Sequence, residues 1–193
     1  YDATYLNNVV DDIGMTMNRN NYYAYNISWY NDKQKNYFTA LRTKAAASNE
    51  PMFFIQTVWC PPTAWKANNS ECDNTCSSLC NAQANLGPCN GTNNYLKPEY
   101  YDDYATQCVN YIKQLKTDCG IDLYAFSLQN EPAFNEPYES CKYTPQQYND
   151  LLKVAGPIFR SQVPNVKLFG AEDMGGGSTL AKWTSVIFND PVS

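Results

Sequence analysis

Asn130, Glu131 and Pro132 stand at the end of an apolar run, Ile121 to Asn130. Proline has no N–H and cannot extend a sheet ladder, so the run should stop there with a carboxamide and a carboxylate at its tip. The chain contains no histidine. A Ser-His-Asp triad, a Cys-His pair and a His-ligated metal are therefore excluded within these residues. Acid–base work near neutral pH then falls to a carboxyl group with a shifted pKa, or to Lys, Tyr or Cys. Glu131 is the candidate. The plainer alternative for such a tripeptide is a solvated loop glutamate beside a turn-forming asparagine.

A strand must carry Glu131 to that position. Alternation puts Tyr124, Phe126 and Leu128 on one face, large enough to pack on helices. Ala125, Ser127, Gln129 and Glu131 share the other face, which is small and then polar. Three more runs read as strands: Ile13 to Arg19, Met52 to Trp59 and Val166 to Glu172. Helical patterns lie between them. Asp32 to Ala47 carries Tyr37, Leu41 and Ala45 at four-residue spacing. Glu99 to Thr117 follows Pro98 and carries Tyr104, Cys108, Ile112 and Leu115. Thr144 to Ser161 opens with Thr144-Pro145-Gln146-Gln147, a capping box with proline at the first helical position. Pro157 predicts a kink or break near Gly156. A last helix runs from about Ser178 to Ile187.

Strand–helix alternation implies parallel strands joined by right-handed crossovers. A doubly wound open sheet and part of a (β/α)8 barrel both fit. No Gly-x-Gly-x-x-Gly follows a strand, so a dinucleotide site loses support. The long connection from about 60 to 97 follows a strand's C-terminal end, where both folds place an active site. Connections of that length are usually functional.

The 193 residues suit one domain, and the net charge of −5 carries no long run of either sign. That argues against nucleic acid and anionic membranes as partners. No apolar stretch reaches a bilayer span, and no signal peptide is visible, so any leader is expected to lie outside these residues. The eight cysteines are Cys60, Cys72, Cys76, Cys80, Cys89, Cys108, Cys119 and Cys141. An even count without histidine favours disulfides over zinc, with connectivity unreadable. Asn26, Asn68 and Asn90 each open an N-glycosylation triplet. With the cysteines they point to a secreted, disulfide-bonded glycoprotein. No metal or organic cofactor is expected.

The stretches "WCPPTAWK", "SLQNEP", "YESCKYTPQQY" and "KLFGAE" occur together and in order. Their combination resembles glycoside hydrolase family 30, in the clan of (β/α)8 retaining β-glycosidases. The resemblance is strongest from Met52 to Asp173. It implies that residues 1–193 form one partial catalytic domain, an incomplete TIM barrel with counterparts of about strands two to five and a Cys-rich active-site loop. Glu131 would be the general acid/base and Asn130 would bond the sugar 2-hydroxyl. Arg19 would brace the catalytic carboxylates, or else form a surface salt bridge. Trp59 would floor the sugar subsite, or else pack in the core. Glu172 would line the site, and Trp65 would stack a distal sugar or anchor the loop.

The implied activity is hydrolysis of a β-linked glycan with retained configuration, using two carboxyl groups about 5–5.5 Å apart. The acid must be protonated at working pH, so its pKa must be raised by burial or a second carboxylate. The family's nucleophile is a glutamate ending the seventh strand, which these residues do not reach. Glu136 and Glu139, in the loop after Glu131, are not promoted to that role. The remainder of the barrel is expected in the same longer chain. The alternative is a non-catalytic structural or carbohydrate-binding glycoprotein on the same scaffold.

Overall fold

A computed structural model describes residues 2–71, 93–134, 138–172 and 177–191. Helices α1 (Ala3–Asn7), α2 (Asp32–Ala47), α3 (Tyr101–Cys119), α4 (Pro145–Gln162) and α5 (Gly177–Ile187) alternate with strands β1 (Met17–Tyr22), β2 (Phe53–Val58), β3 (Leu123–Ser127) and β4 (Lys167–Phe169). The strands form one parallel sheet in the order β1-β2-β3-β4. Sequential neighbours, each separated by a helix, are the βαβ units of a partial (β/α) barrel.

The helices keep the boundaries that their caps dictate. α2 starts where Asn31 Oδ1 accepts from the N–H groups of Lys33 and Gln34. It buries Phe38, Leu41 and Ala45. α3 ends at Gly120, whose φ of 67° supplies the left-handed cap. α4 opens with the expected capping box: Thr144 Oγ1 accepts from Gln147 N and Gln147 Oε1 accepts from Thr144 N. The break expected at Pro157 does not occur, and α4 runs unbroken through it. Packing of Leu151, Ala155 and Phe159 in the core holds the helix together where one backbone bond is lost.

The core between sheet and helices is strongly aromatic. Tyr22 stacks on Tyr111 at 3.8 Å, and Phe126 meets Phe159 at 5.7 Å. Two of the buried hydroxyls are tied into this core: Tyr104 donates to Leu128 O at 2.6 Å and Tyr111 to Gln56 Oε1 at 3.2 Å. Burying each such ring is worth roughly 1.5–3 kcal/mol.

Two strand expectations are corrected. β1 begins at Met17, not Ile13, because Asn8–Asp12 continue α1 as a π-turn and Ile13 is left exposed. Tyr124 does not share the helix face with Phe126 and Leu128. A register shift at Phe54/Ile55 turns it toward Phe53, 4.8 Å away, and toward Lys167, which donates to its hydroxyl. Leu123 takes the buried place instead. One extra residue in a strand reverses the faces on either side of it.

The ends of the long connection are zipped together. Lys66 and Leu96 form an antiparallel bridge, and Ala67 N donates to Tyr95 O.

Candidate active site

Arg19 of β1 is the hub of a polar group at the C-terminal end of the sheet. Its Nε donates to Thr57 Oγ1 of β2 at 3.0 Å. Its Nη2 donates to Asn130 Oδ1, beyond β3, at 2.7 Å and to Glu172 Oε2, beyond β4, at 2.6 Å. Thr57 Oγ1 in turn donates a hydrogen bond to Glu172 Oε1 at 3.1 Å, which closes the ring. β1, β2 and the segments just beyond β3 and β4 thus contribute one side chain each. Parallel topology makes this possible, since every strand delivers its C-terminal end to the same place. The Arg19 and Glu172 side chains are 41% and 19% exposed, so the pair fixes orientation more than it adds stability.

Asn130 is held at both ends. Its backbone N–H donates to Val58 O at 2.7 Å, and it bridges to Glu172 in parallel register. Because Arg19 can only donate, the amide oxygen must face it. The Nδ2 donors therefore point away from the ion pair.

Glu131 departs from the expected alternation. β3 ends at Ser127, and Ser127 Oγ bonds Gln129 O. Gln129 is fully buried, with Nε2 donating to Trp59 O and Asn130 O. Glu131 then adopts φ 42°, rare for a residue with a side chain, and its carbonyl accepts from Phe134 N. Simple strand alternation does not extend this far: Asn130 Oδ1 accepts from Arg19, and the half-buried Glu131 sits in a left-handed turn. Such a conformation costs about 1–3 kcal/mol and persists only where neighbours enforce it. Tyr143 N, donating to Pro132 O at 2.7 Å, is one that does.

Trp59 is half-buried beside the group, its ring 5.7 Å from Tyr138 and tilted by 34°. Trp65 lies elsewhere, stacked on Tyr100 with an interplanar angle of 9° and packed against the core. Its contacts are those of a loop anchor. Sequence reasoning missed Thr57 and Lys66. Lys66 is fully buried, its Nζ donating to Ser140 O at 2.6 Å and lying 3.6 Å from Cys60 Sγ. A lysine amid aromatic and proline residues was the available signal. Thr57 had none beyond a hydroxyl on the Arg19 side of an apolar strand.

The expected disulfides are not formed among the described cysteines. Cys60, Cys108, Cys119 and Cys141 are buried free thiols. Cys108 and Cys119 stand roughly 16 Å apart along one helix, beyond disulfide reach. Cys119 Sγ contacts Tyr30 Oη and Lys35 O. Burial pushes the Cys60 thiol up to about 12, against the lowering effect of Lys66. Cys72, Cys76, Cys80 and Cys89 lie outside the described residues, as does Asn90. Asn26 is half-buried and its Oδ1 accepts from Ser28 Oγ at 2.6 Å. Asn68 Oδ1 accepts from Ser70 N, and its Nδ2 donates to Asn94 Oδ1. A separate cavity of about 500 Å³ opens at the opposite end of the sheet, lined by Ile112, Lys116, Ile121 and Val163 among others. It shares no residue with the polar group.

No protein-family model and no curated protein matches this sequence. Solved structures do match. The whole chain superposes on a glycoside hydrolase family 30 subfamily 8 xylanase, Xyn30A, from Clostridium acetobutylicum, with 26% identity and a TM-score of 0.73. It covers 43% of that chain. The endo-β1,6-glucanase BT3312 matches with 20% identity and a TM-score of 0.71 over 97% of this chain and 44% of its own. The catalytic domain of family 30 xylanase C from Talaromyces cellulolyticus matches with 16% identity and a TM-score of 0.70, over 97% and 46%. The chain thus spans less than half the length of the structures it resembles. With its four parallel strands and alternating helices, it is a partial glycoside hydrolase family 30-like domain.

Proposed function

We propose that the chain supplies the acid/base half of a retaining β-glycosidase acting on a β-linked glycan. The observation that carries this reading is the ring of Arg19, Thr57, Asn130 and Glu172, closed directly beside Glu131 at the strand ends. Its similarity in fold to a xylanase and an endo-β1,6-glucanase supports glycan hydrolysis as the class of reaction.

Each residue then has a task. Protonated Glu131 gives its proton to the glycosidic oxygen as the C1–O bond breaks. A second carboxylate, the glutamate that the family resemblance places on a later strand, bonds to the anomeric carbon. Glu131, now ionised, takes a proton from water as the water oxygen attacks C1, and the ester bond to the carboxylate breaks. Two inversions give net retention. Asn130, with its oxygen committed to Arg19, offers Nδ2 to the 2-hydroxyl oxygen, a contact that strengthens as charge develops at C1. Trp59 and Tyr138 form an aromatic wall on which a sugar ring can lie.

The test is Glu131→Gln in the full-length protein. Turnover of substrates with poor leaving groups should fall about 10²–10⁴-fold, while activated aryl glycosides lose less in the first step. Wild-type turnover of a natural glycan by that variant would sink the assignment. Glycan binding without turnover in the wild-type protein would favour the non-catalytic alternative.

A further inference from the structure

A second cleft, of about 340 Å³, lies beside β1 and the start of α2. Asn20, Tyr23, Trp29, Asn31, Gln34 and Tyr37 line it together with Lys33. Trp29 keeps 41% of its surface exposed although it packs on Tyr23 at 4.6 Å. Tyr25 backs the pair, 6.3 Å from Trp29, and its hydroxyl donates to Glu139 Oε1 at 2.7 Å. The aromatic cluster is therefore tied to the loop that follows Glu131.

The polar lining is complementary to hydroxyl groups. Asn20 spends an Nδ2 proton on Asn18 Oδ1, and Gln34 spends one on Asn21 O, so each amide oxygen is left as an acceptor. Asn31 uses its oxygen to cap α2 and leaves its amide N–H groups as donors. Among the described residues no carboxylate lines the cleft, and Lys33 is the one charged side chain in its lining. An exposed indole gives the C–H face of a pyranose a flat apolar surface, and neutral amides around it bond the equatorial hydroxyls without a charge to desolvate. The volume lies at the small end of ligand sites.

We infer that this cleft is a second glycan-binding site, taking a short uncharged stretch of a β-linked oligosaccharide against Trp29. Its place on the loop after β1, joined to the Glu131 loop through Tyr25 and Glu139, puts it on the same end of the sheet as the polar ring. It would hold a distal part of the polymer whose cleavage is proposed above. The identity of that polymer rests on the glycosidase reading, whereas the binding itself does not.

The experiment is an NMR titration of the full-length protein carrying Glu131→Gln, with ¹⁵N-labelled tryptophan, using xylohexaose and gentiohexaose as probes. The Trp29 indole resonance should shift saturably with at least one of them, and should still shift when Trp59→Ala is added. Trp29→Ala and, separately, Gln34→Ala should weaken binding at this site about tenfold, about 1.4 kcal/mol, while the spectrum stays dispersed. In the wild-type background Trp29→Ala should leave hydrolysis of a short aryl β-glycoside unchanged. A Trp29 resonance that neither sugar moves, or a shift that vanishes with Trp59→Ala, overturns the second site. Failure of the glycosidase reading shows separately, as undiminished turnover in Glu131→Gln.

Discussion

Arg19 holds three acceptors that come from three other parts of the sheet, and it uses two different nitrogens to do so. A lysine ammonium has no fork with which to reproduce that geometry. Arg19→Lys should lower kcat/KM on the glycan about 100-fold, roughly 2.7 kcal/mol of transition-state binding, while thermal stability hardly moves. Steady-state kinetics beside a melting curve checks this, and wild-type kcat/KM would remove Arg19 from the site. The sequence singled out Asn130 and Glu172 through the stretches that frame them and Arg19 as the end of the first strand-like run, and hydrogen bonds bring the three together. Thr57 was not. A β-branched residue in an apolar run reads as ordinary strand, and its partner Glu172 lies 115 residues further on. No local pattern encodes a hydrogen bond across that distance.

At the scale of elements, the sequence was most informative where the cause is local. α2 was readable to the residue because a helical stripe of Leu41 and Ala45 begins after Asn31 and ends at Ser48-Asn49. The capping box of α4 was legible for the same reason. The misjudged features depend on neighbours: the register shift that turns Tyr124 around, and the left-handed turn at Glu131. Gly170, just after β4, is another position governed by its surroundings. Its φ is +156°, and a Cβ there would lie 2.3 Å from the buried Tyr148 hydroxyl. Gly170→Ala should therefore destabilise the fold by about 1–3 kcal/mol, measured by denaturant unfolding, since overpacking moves either Tyr148 or the approach to Glu172. An unchanged midpoint would show that Tyr148 yields freely.

The N-terminal turns offer a pH-dependent case at the same scale. Asp11 accepts from Lys44 Nζ and from Ser48 Oγ, and these bonds, Lys44 first, hold its carboxyl below the usual carboxylate range. A lowered folded-state pKa contributes stability above the unfolded value, near 3.9, that is lost as pH falls through the folded one. Amide protection of residues 3–12 should therefore fade in strong acid, and should already be weakened at neutral pH in Asp11→Asn. Equal protection of that variant and the wild type at neutral pH would show that the carboxylate does not hold α1 to α2.

For the whole molecule, strand–helix alternation was enough to anticipate a parallel sheet, and family-like motifs chose the barrel over the doubly wound alternative. What pattern could not give was the lateral closure of the long connection. Glu71 O accepts from Ser140 N, and Asn94 O accepts from Lys142 N. Two acceptors served by alternate residues of one extended segment stand roughly 7 Å apart. The described ends of the connection, at Glu71 and Asn94, are thus held about one short linker apart. Closing a loop costs little more as it lengthens, so ends held this close accept inserts of very different length. Replacing residues 72–92 with a few glycines and serines should leave the melting temperature within a few degrees while changing which glycans are accepted. A collapse of the melting transition would mean that the insert is structural. In this sense the connection is a cartridge, exchangeable without rebuilding the sheet and helices that hold its ends.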